Sequence, residues 1–268
     1  MNLPENFTFS QHNLQDYVDC RYRFYLKYVL GVEWPAVENE PILLQEARME
    51  LGNQFHHLVQ QFFAGVDPAV LASTIDSDEL SSWWQAFTTL KLIELPGEKY
   101  AEKLLSIPLA DHRLVAKYDL LIRQTDGAYT IYDWKTSLRP PSQAILMNRL
   151  QSIVYPFVLQ TYINSRADLD ASPINIEMIY WFPALPAEPV HFTYSAAQLD
   201  NDREYLLGMV NEITANTEEW FEKTPEVKKC AFCRYRSLCD RGISAGNLAD
   251  ADEIEDARTA FDLDFDAL

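Results

Sequence analysis

Basic residues are in short supply in this chain. Lysine and arginine number 22 against 40 aspartates and glutamates, for a formal net charge of −18. Such a balance excludes a protein that grips polyanions through a uniformly basic surface. Cysteine is rarer still, with four in 268 residues. No apolar run approaches the roughly 20 residues needed to span a bilayer, so no membrane association is expected. The opening residues, 1–10, lack the basic and then apolar segments of a signal peptide. A cytoplasmic, reducing setting is the expectation, and there four cysteines serve as ligands more readily than as disulfides. No G-x-x-x-x-G-K-[ST] phosphate loop occurs, which excludes a nucleotide-driven motor within the chain. There is no internal repeat and no second domain boundary.

What charge there is lies unevenly. Residues 247–268 hold eight acidic residues against Arg258 alone, and this tail is expected to be disordered. Residues 1–246 are expected to form one domain. Basic residues gather near the cysteines: Arg21, Arg23 and Lys27 follow Cys20, while Lys223, Lys228, Lys229, Arg234, Arg236 and Arg241 surround Cys230, Cys233 and Cys239. A locally basic surface on an acidic protein is compatible with that pattern.

Hydrophobic periodicity predicts helices over residues 7–29, with Ser10 as N-cap, and over 41–63, 79–94, 143–163 and 196–222. Alternation and turn residues predict strands over 100–109, 113–123, 129–134, 174–182 and 190–194, the last two as a hairpin. The expected class is therefore α/β, a mixed central sheet flanked by helices.

Two constellations carry chemistry. Asp119 lies within Val115 to Leu121, near the end of an apolar strand, and Asp133 lies in the next strand, within Tyr132-Asp133-Trp134-Lys135. A hairpin would bring the two carboxylates together. With the Trp134 carbonyl they offer the hard oxygen ligands that Mg²⁺ or Mn²⁺ prefers. Lys135, two residues on, shares a strand face with Asp133 and could orient a water or stabilise phosphate charge. Glu102, on the first strand, is a further carboxylate of lower standing. The second constellation is Cys20 with Cys230-x-x-Cys233 and Cys239. Four thiolates satisfy a [4Fe–4S] cluster, and a tetrahedral Zn²⁺ site makes the same demand.

The series Gly52-Asn53-Gln54-Phe55-His56, Lys117-Tyr118-Asp119, Asp133-Trp134-Lys135 and Gln151-Ser152-Ile153-Val154-Tyr155 resembles the RecB-like branch of the PD-(D/E)XK nucleases. That resemblance implies a restriction-endonuclease-like core and metal-dependent cleavage of DNA, single-stranded or end-containing. It implies His56, Asp119, Asp133 and Trp134 at the metal and Asp119, Asp133, Lys135, Gln151 and Tyr155 in catalysis. The cysteine pattern is similar to the iron–sulfur staple of the AddB nuclease domain and of CRISPR-associated RecB-like exonucleases. This implies a [4Fe–4S] cluster on Cys20, Cys230, Cys233 and Cys239, a repair or defence role, and helicase or CRISPR-adaptation partners. A catalytically silent or partner-dependent DNA-binding subunit is the alternative. Two departures stand out: no proline precedes Asp119, and Lys117 stands where the branch often has glycine.

Overall fold

The alternating apolar stretches become one mixed, six-stranded sheet in the computed structural model, which describes residues 3–34, 40–137, 141–166 and 174–243. The acidic segment 247–268 lies outside those residues. The strands are β1 (Thr8–Ser10), β2 (Glu98–Leu109), β3 (His112–Arg123), β4 (Tyr129–Trp134), β5 (Ile176–Trp181) and β6 (Val190–Tyr194). The α/β class with helices on a mixed sheet is the architecture observed.

β3 is the hub. β2 runs antiparallel along one side of it, from Glu98 opposite Arg123 to Leu109 opposite His112. On its other side two strands share the edge. β1 pairs in parallel with Arg113–Val115, and β4 pairs antiparallel with Leu120–Arg123. Among the described residues no strand pairs with residues 116–119 on that side. The sheet is split there, and Asp119 sits at the split.

Helices cover both faces. On one face α1 (Gln11–Asp19), α7 (Leu150–Asn164) and α8 (Ala196–Ala215) enclose a core containing Leu14, Tyr118, Ile131, Val154, Phe157, Met178, Val210 and Ile213. On the other, α3 (Glu40–Phe63) and α5 (Asp78–Thr89) enclose an aromatic core of Phe55, Trp83, Trp84, Phe87, Trp134 and Trp181. α7 is apolar on nearly every side because it is buried on nearly every side. Along β3 the facing changes at Asp119. Leu114, Ala116 and Tyr118 point into the first core, whereas Leu120 and Ile122 point into the second. A regular strand would keep all five on one face.

Several predicted elements are interrupted. Residues 7–29 form β1, then α1, then a break at Cys20 (φ −161°, ψ 105°), a short α2 (Arg21–Phe24) and a π turn over Tyr25–Val29. Ser10 does cap α1, with Asn13 bonding back to it. Residues 143–163 divide into α6 (Gln143–Met147) and α7. The Gln15 side chain accepts the Leu150 N–H at 3.2 Å and so supplies a partner that a continuous helix would not need. The helix predicted to run to 222 ends at Ala215, followed by a 3₁₀ turn.

A buried ionic network ties α1 to α2. Asp16 lies 2.8 Å from Arg23 Nε and accepts the Tyr28 hydroxyl at 2.8 Å, and Arg23 also reaches Asp19 at 2.9 Å. Burial alone would push the Asp16 carboxyl up. Arg23, His12, Lys27 and the Tyr28 hydroxyl outweigh it and hold the group below its usual range. A depressed folded-state value stabilises the fold above the unfolded value, about 4, and that contribution is lost as pH falls through the folded value. Asp16→Asn is therefore expected to cost about 1.5–3 kcal/mol at neutral pH, because Arg23 loses the carboxylate at its Nε while keeping Asp19. In urea titrations at a series of pH values, the difference between wild type and D16N should shrink below about pH 4.

Candidate active site

The site assembles at the split in the sheet, and each layer contributes. α3 delivers His56. Its neighbour Phe55 is fully buried, stacked on Trp181 with ring centroids 6.3 Å apart and edge-on to Trp83 and Phe87. One helical turn earlier, Gly52 lets the helix come close to the chain beyond β4: a Cβ there would lie 2.7 Å from Thr136 Oγ1. Glycine in G-x-x-x-H thus has a packing reason. It brings α3 near enough for His56 to reach the end of β4.

His56 stands between two acceptors. Nε2 lies 3.1 Å from the Trp134 carbonyl oxygen. A carbonyl can only accept, so Nε2 carries the proton. Nδ1 then faces Asp119 Oδ1 at 3.3 Å. A lone pair and a carboxylate oxygen at that distance need a proton or a metal ion between them. Burial would lower the His56 pKa; the Asp119, Asp133 and Glu102 carboxylates overcome that and raise it. Asp119 Oδ2 accepts the Trp134 N–H at 2.8 Å. Burial opposes the Asp119 charge, but His56, the Trp134 N–H and Lys135 hold its carboxyl below the usual range. His56, Glu102 and Asp119 place one ligand atom each within 4.8 Å of one another. One imidazole and two carboxylates form a donor set that suits Mg²⁺ or Mn²⁺.

Asp133 and Lys135 form the second half of the site. The Lys135 N–H bonds the Trp181 carbonyl at 2.9 Å, which continues the β4–β5 alignment one residue past the strand. Asp133 and Lys135 then share a face, with Lys135 Nζ 2.7 Å from Asp133 Oδ2. Gln151, on the first turn of α7, closes a ring. Its Nε2 donates to Asp133 Oδ1 at 2.5 Å, and its Oε1 accepts from Lys135 Nζ at 2.7 Å. The ammonium also sits 5.4 Å from the Tyr180 ring centroid. Burial pushes the Asp133 carboxyl up to about 6, with Asp119 adding to the rise and Lys135 opposing it. Tyr155 is buried one turn along α7 from Gln151. Its backbone carbonyl accepts the Tyr118 hydroxyl at 2.8 Å.

Of the residues singled out from the sequence, His56, Asp119 and the Trp134 backbone meet on one side. Asp133, Lys135 and Gln151 meet on the other, and Tyr155 lies behind them. Glu102 belongs with the first set more closely than its sequence standing implied. A signal for it existed: with the turn at Ala110-Asp111 and Leu109 opposite His112, counting back along the hairpin brings Glu102 level with Asp119. Tyr180, whose ring lies beside the Lys135 ammonium, and Ser152, whose hydroxyl is 2.8 Å from that of Tyr180, were not singled out from the sequence.

The four cysteines line a single cavity together with Arg23, Lys223, Lys229, Arg236 and Arg241. Cys20 lies at the break between α1 and α2, and its Sγ accepts the Thr224 N–H at 3.5 Å. Burial raises the Cys230 thiol, as do Cys233 and Cys20; burial and Cys233 push Cys239 up to about 11. Four sulfurs in one cavity ringed by cations suit a polynuclear or metal centre that offsets thiolate charge. Among the described residues no three cysteine sulfurs lie within 4.8 Å of one another. Tetrahedral zinc, with Zn–S about 2.3 Å, would hold them about 3.8 Å apart.

A family model described as the PD-(D/E)XK nuclease superfamily matches residues 8–240. No curated protein matches the chain. Among solved structures, a candidate exonuclease from Eubacterium rectale is similar at 12% identity, covering 79% of this chain and 83% of that one with a TM-score of 0.44. The protein SSO0001 is similar at 11% identity, covering 90% and 88% with a TM-score of 0.39. With a match that spans most of its length, the chain belongs to the PD-(D/E)XK nuclease superfamily.

Proposed function

We propose that this protein is a metal-dependent DNA nuclease of the RecB-like branch, acting as an exonuclease on single strands or DNA ends. One observation carries the reading: the His56–Asp119 ligand set lies against an Asp133–Lys135 pair that Gln151 locks in place. His56, Asp119 and Asp133 are the proposed ligands of Mg²⁺ or Mn²⁺; the Trp134 carbonyl, expected at the metal from the sequence, accepts the His56 Nε2–H on the far side of the ring and orients that ligand instead. The bound ion would act as a Lewis acid on the phosphate and on the attacking water. The chain's own groups have separate tasks. Lys135 places a positive charge where negative charge grows on the phosphate oxygens in the transition state. Gln151 and Tyr180 hold that ammonium so that little reorganisation is needed when the reaction occurs. The His56 Nε2–H bond to Trp134 fixes the ring so that Nδ1 points to the metal. The completeness of this set disfavours a catalytically silent DNA-binding subunit.

At the cysteines we propose a [4Fe–4S] cluster, with Zn²⁺ as the second reading. The gathering of all four cysteines in one cavity with five basic side chains supports a centre that offsets thiolate charge.

Linear and covalently closed circular single-stranded DNA offer the test of exonuclease action. With Mn²⁺, linear strands are expected to be degraded and circles spared. Equal cutting of both would make the enzyme an endonuclease, and cutting of neither would favour the binding-subunit reading.

A further inference from the structure

Glu102 is held in a conformation that its strand does not need. Its φ is +52°, and among the described non-glycine residues with positive φ it is the one inside a strand. Ala101 pairs with Leu120 and Lys103 with Tyr118, yet Glu102 and Asp119 between them do not pair. A left-handed backbone crowds the Cβ of an L-residue and persists only where surrounding structure enforces it. The result of the distortion is that a Glu102 carboxylate oxygen reaches the ligand group of His56 and Asp119. The same carboxylate is ion-paired with Lys117, and both side chains are largely buried. Lys117 thus neutralises the one carboxylate that the distortion brings to the His56–Asp119 ligand group.

We infer that Glu102 is a fourth side-chain ligand of the divalent ion, and that Lys117 is its stand-in cation, displaced from Glu102 when the ion binds. This rests on the metal-dependent reading proposed above and adds two residues to it. A strand distortion that merely tolerated a surface ion pair would gain nothing from aiming the carboxylate at Asp119. A carboxylate competed for by a resident ammonium also has a distinctive consequence. Removing the acid must weaken metal binding, and removing the lysine must strengthen it.

Direct Mn²⁺ binding by the full chain, followed by electron paramagnetic resonance of the free ion, reads both effects without reference to activity. Glu102→Gln is expected to weaken Mn²⁺ at least tenfold, and Lys117→Met to tighten it threefold or more. Glu102→Gly should match the loss seen with E102Q while its melting temperature stays level or rises, because glycine accepts φ near +50°. That variant separates loss of the carboxylate from loss of the fold. Asp119→Asn serves as the reference and is expected to abolish binding. If D119N fails to bind while E102Q and E102G bind as wild type does, the inference is overturned and the metal site stands. If D119N also binds as wild type does, the metal-site reading falls and this inference with it.

Discussion

Replacing Lys135 with alanine is expected to lower the rate of DNA cleavage by about 10²–10³-fold, the scale seen when one transition-state charge donor is removed. The argument begins with burial. The Lys135 side chain retains 12% of its exposure and the Asp133 side chain 3%. Within so enclosed a site an ammonium is weakly screened, and its effect on nearby charge is far greater than in water. Lys135 is also preorganised, because Asp133, Gln151 and the Tyr180 ring already fix it. The substitution has a second effect of opposite sign. Losing a neighbouring cation should leave Mn²⁺ binding intact or tighter, so the defect should fall on kcat rather than on metal affinity. Lys135→Arg should recover only part of the rate, since a planar guanidinium cannot reproduce the compact contact with Gln151 and Tyr180. Full activity in K135A would remove this lysine from the chemistry. A loss explained entirely by weaker metal binding would reassign it to holding the site together.

Cys20→Ser is expected to produce the largest change in stability. Purified anaerobically, wild-type protein should be brown with about four iron atoms per chain, whereas C20S should lose both iron and visible absorbance. Cys20 and Cys230 lie far apart in sequence, and a covalent tie across so long a span restricts the unfolded chain by about 5 kcal/mol on the entropic model. For a domain of this size each kcal/mol moves the melting temperature by about 2–4 °C, so a fall of about 10–20 °C is the upper range. Other contacts join the same ends. The Tyr22 N–H bonds Glu222 O at 3.1 Å, Trp220 Nε1 bonds the Tyr17 hydroxyl at 3.1 Å, and the Tyr235 hydroxyl bonds Val32 O at 2.9 Å. These keep the two segments in register and place the expected fall toward the lower end of that range. Stoichiometric zinc in colourless anaerobic protein would contradict the cluster, and an unchanged melting temperature in C20S would contradict the staple.

Much of this was legible from residue order alone. The hairpin of β3 and β4 followed from apolar alternation and the turn residues between the strands, and it carried Asp119 and Asp133 with it. Gln151 was legible only through the resemblance of Gln151-Ser152-Ile153-Val154-Tyr155 to the nuclease branch, and its bonds to Asp133 and Lys135 give it a physical purpose. Less legible was anything set by a local exception to regular geometry. The change of facing at Asp119 leaves no trace in Tyr118-Asp119-Leu120, because both neighbours are apolar and both are buried, in different cores. The break at Cys20 interrupts a stretch whose side chains read as one helix, because the bond to Thr224 comes from far along the chain. Glu102 falls between these cases. Its level on the hairpin could be counted from the turn, but its left-handed backbone could not.

The central claim is that the residues gathered at the split in the sheet perform metal-dependent hydrolysis of DNA. Its most direct test is cleavage of end-labelled single-stranded DNA by anaerobically purified protein, with Mn²⁺ added, then chelated, then restored. Cleavage should begin with the metal, stop with the chelator and resume on restoration, and Asp133→Asn protein should stay inactive throughout. Cleavage that persists in chelator, or that D133N retains, would contradict the account.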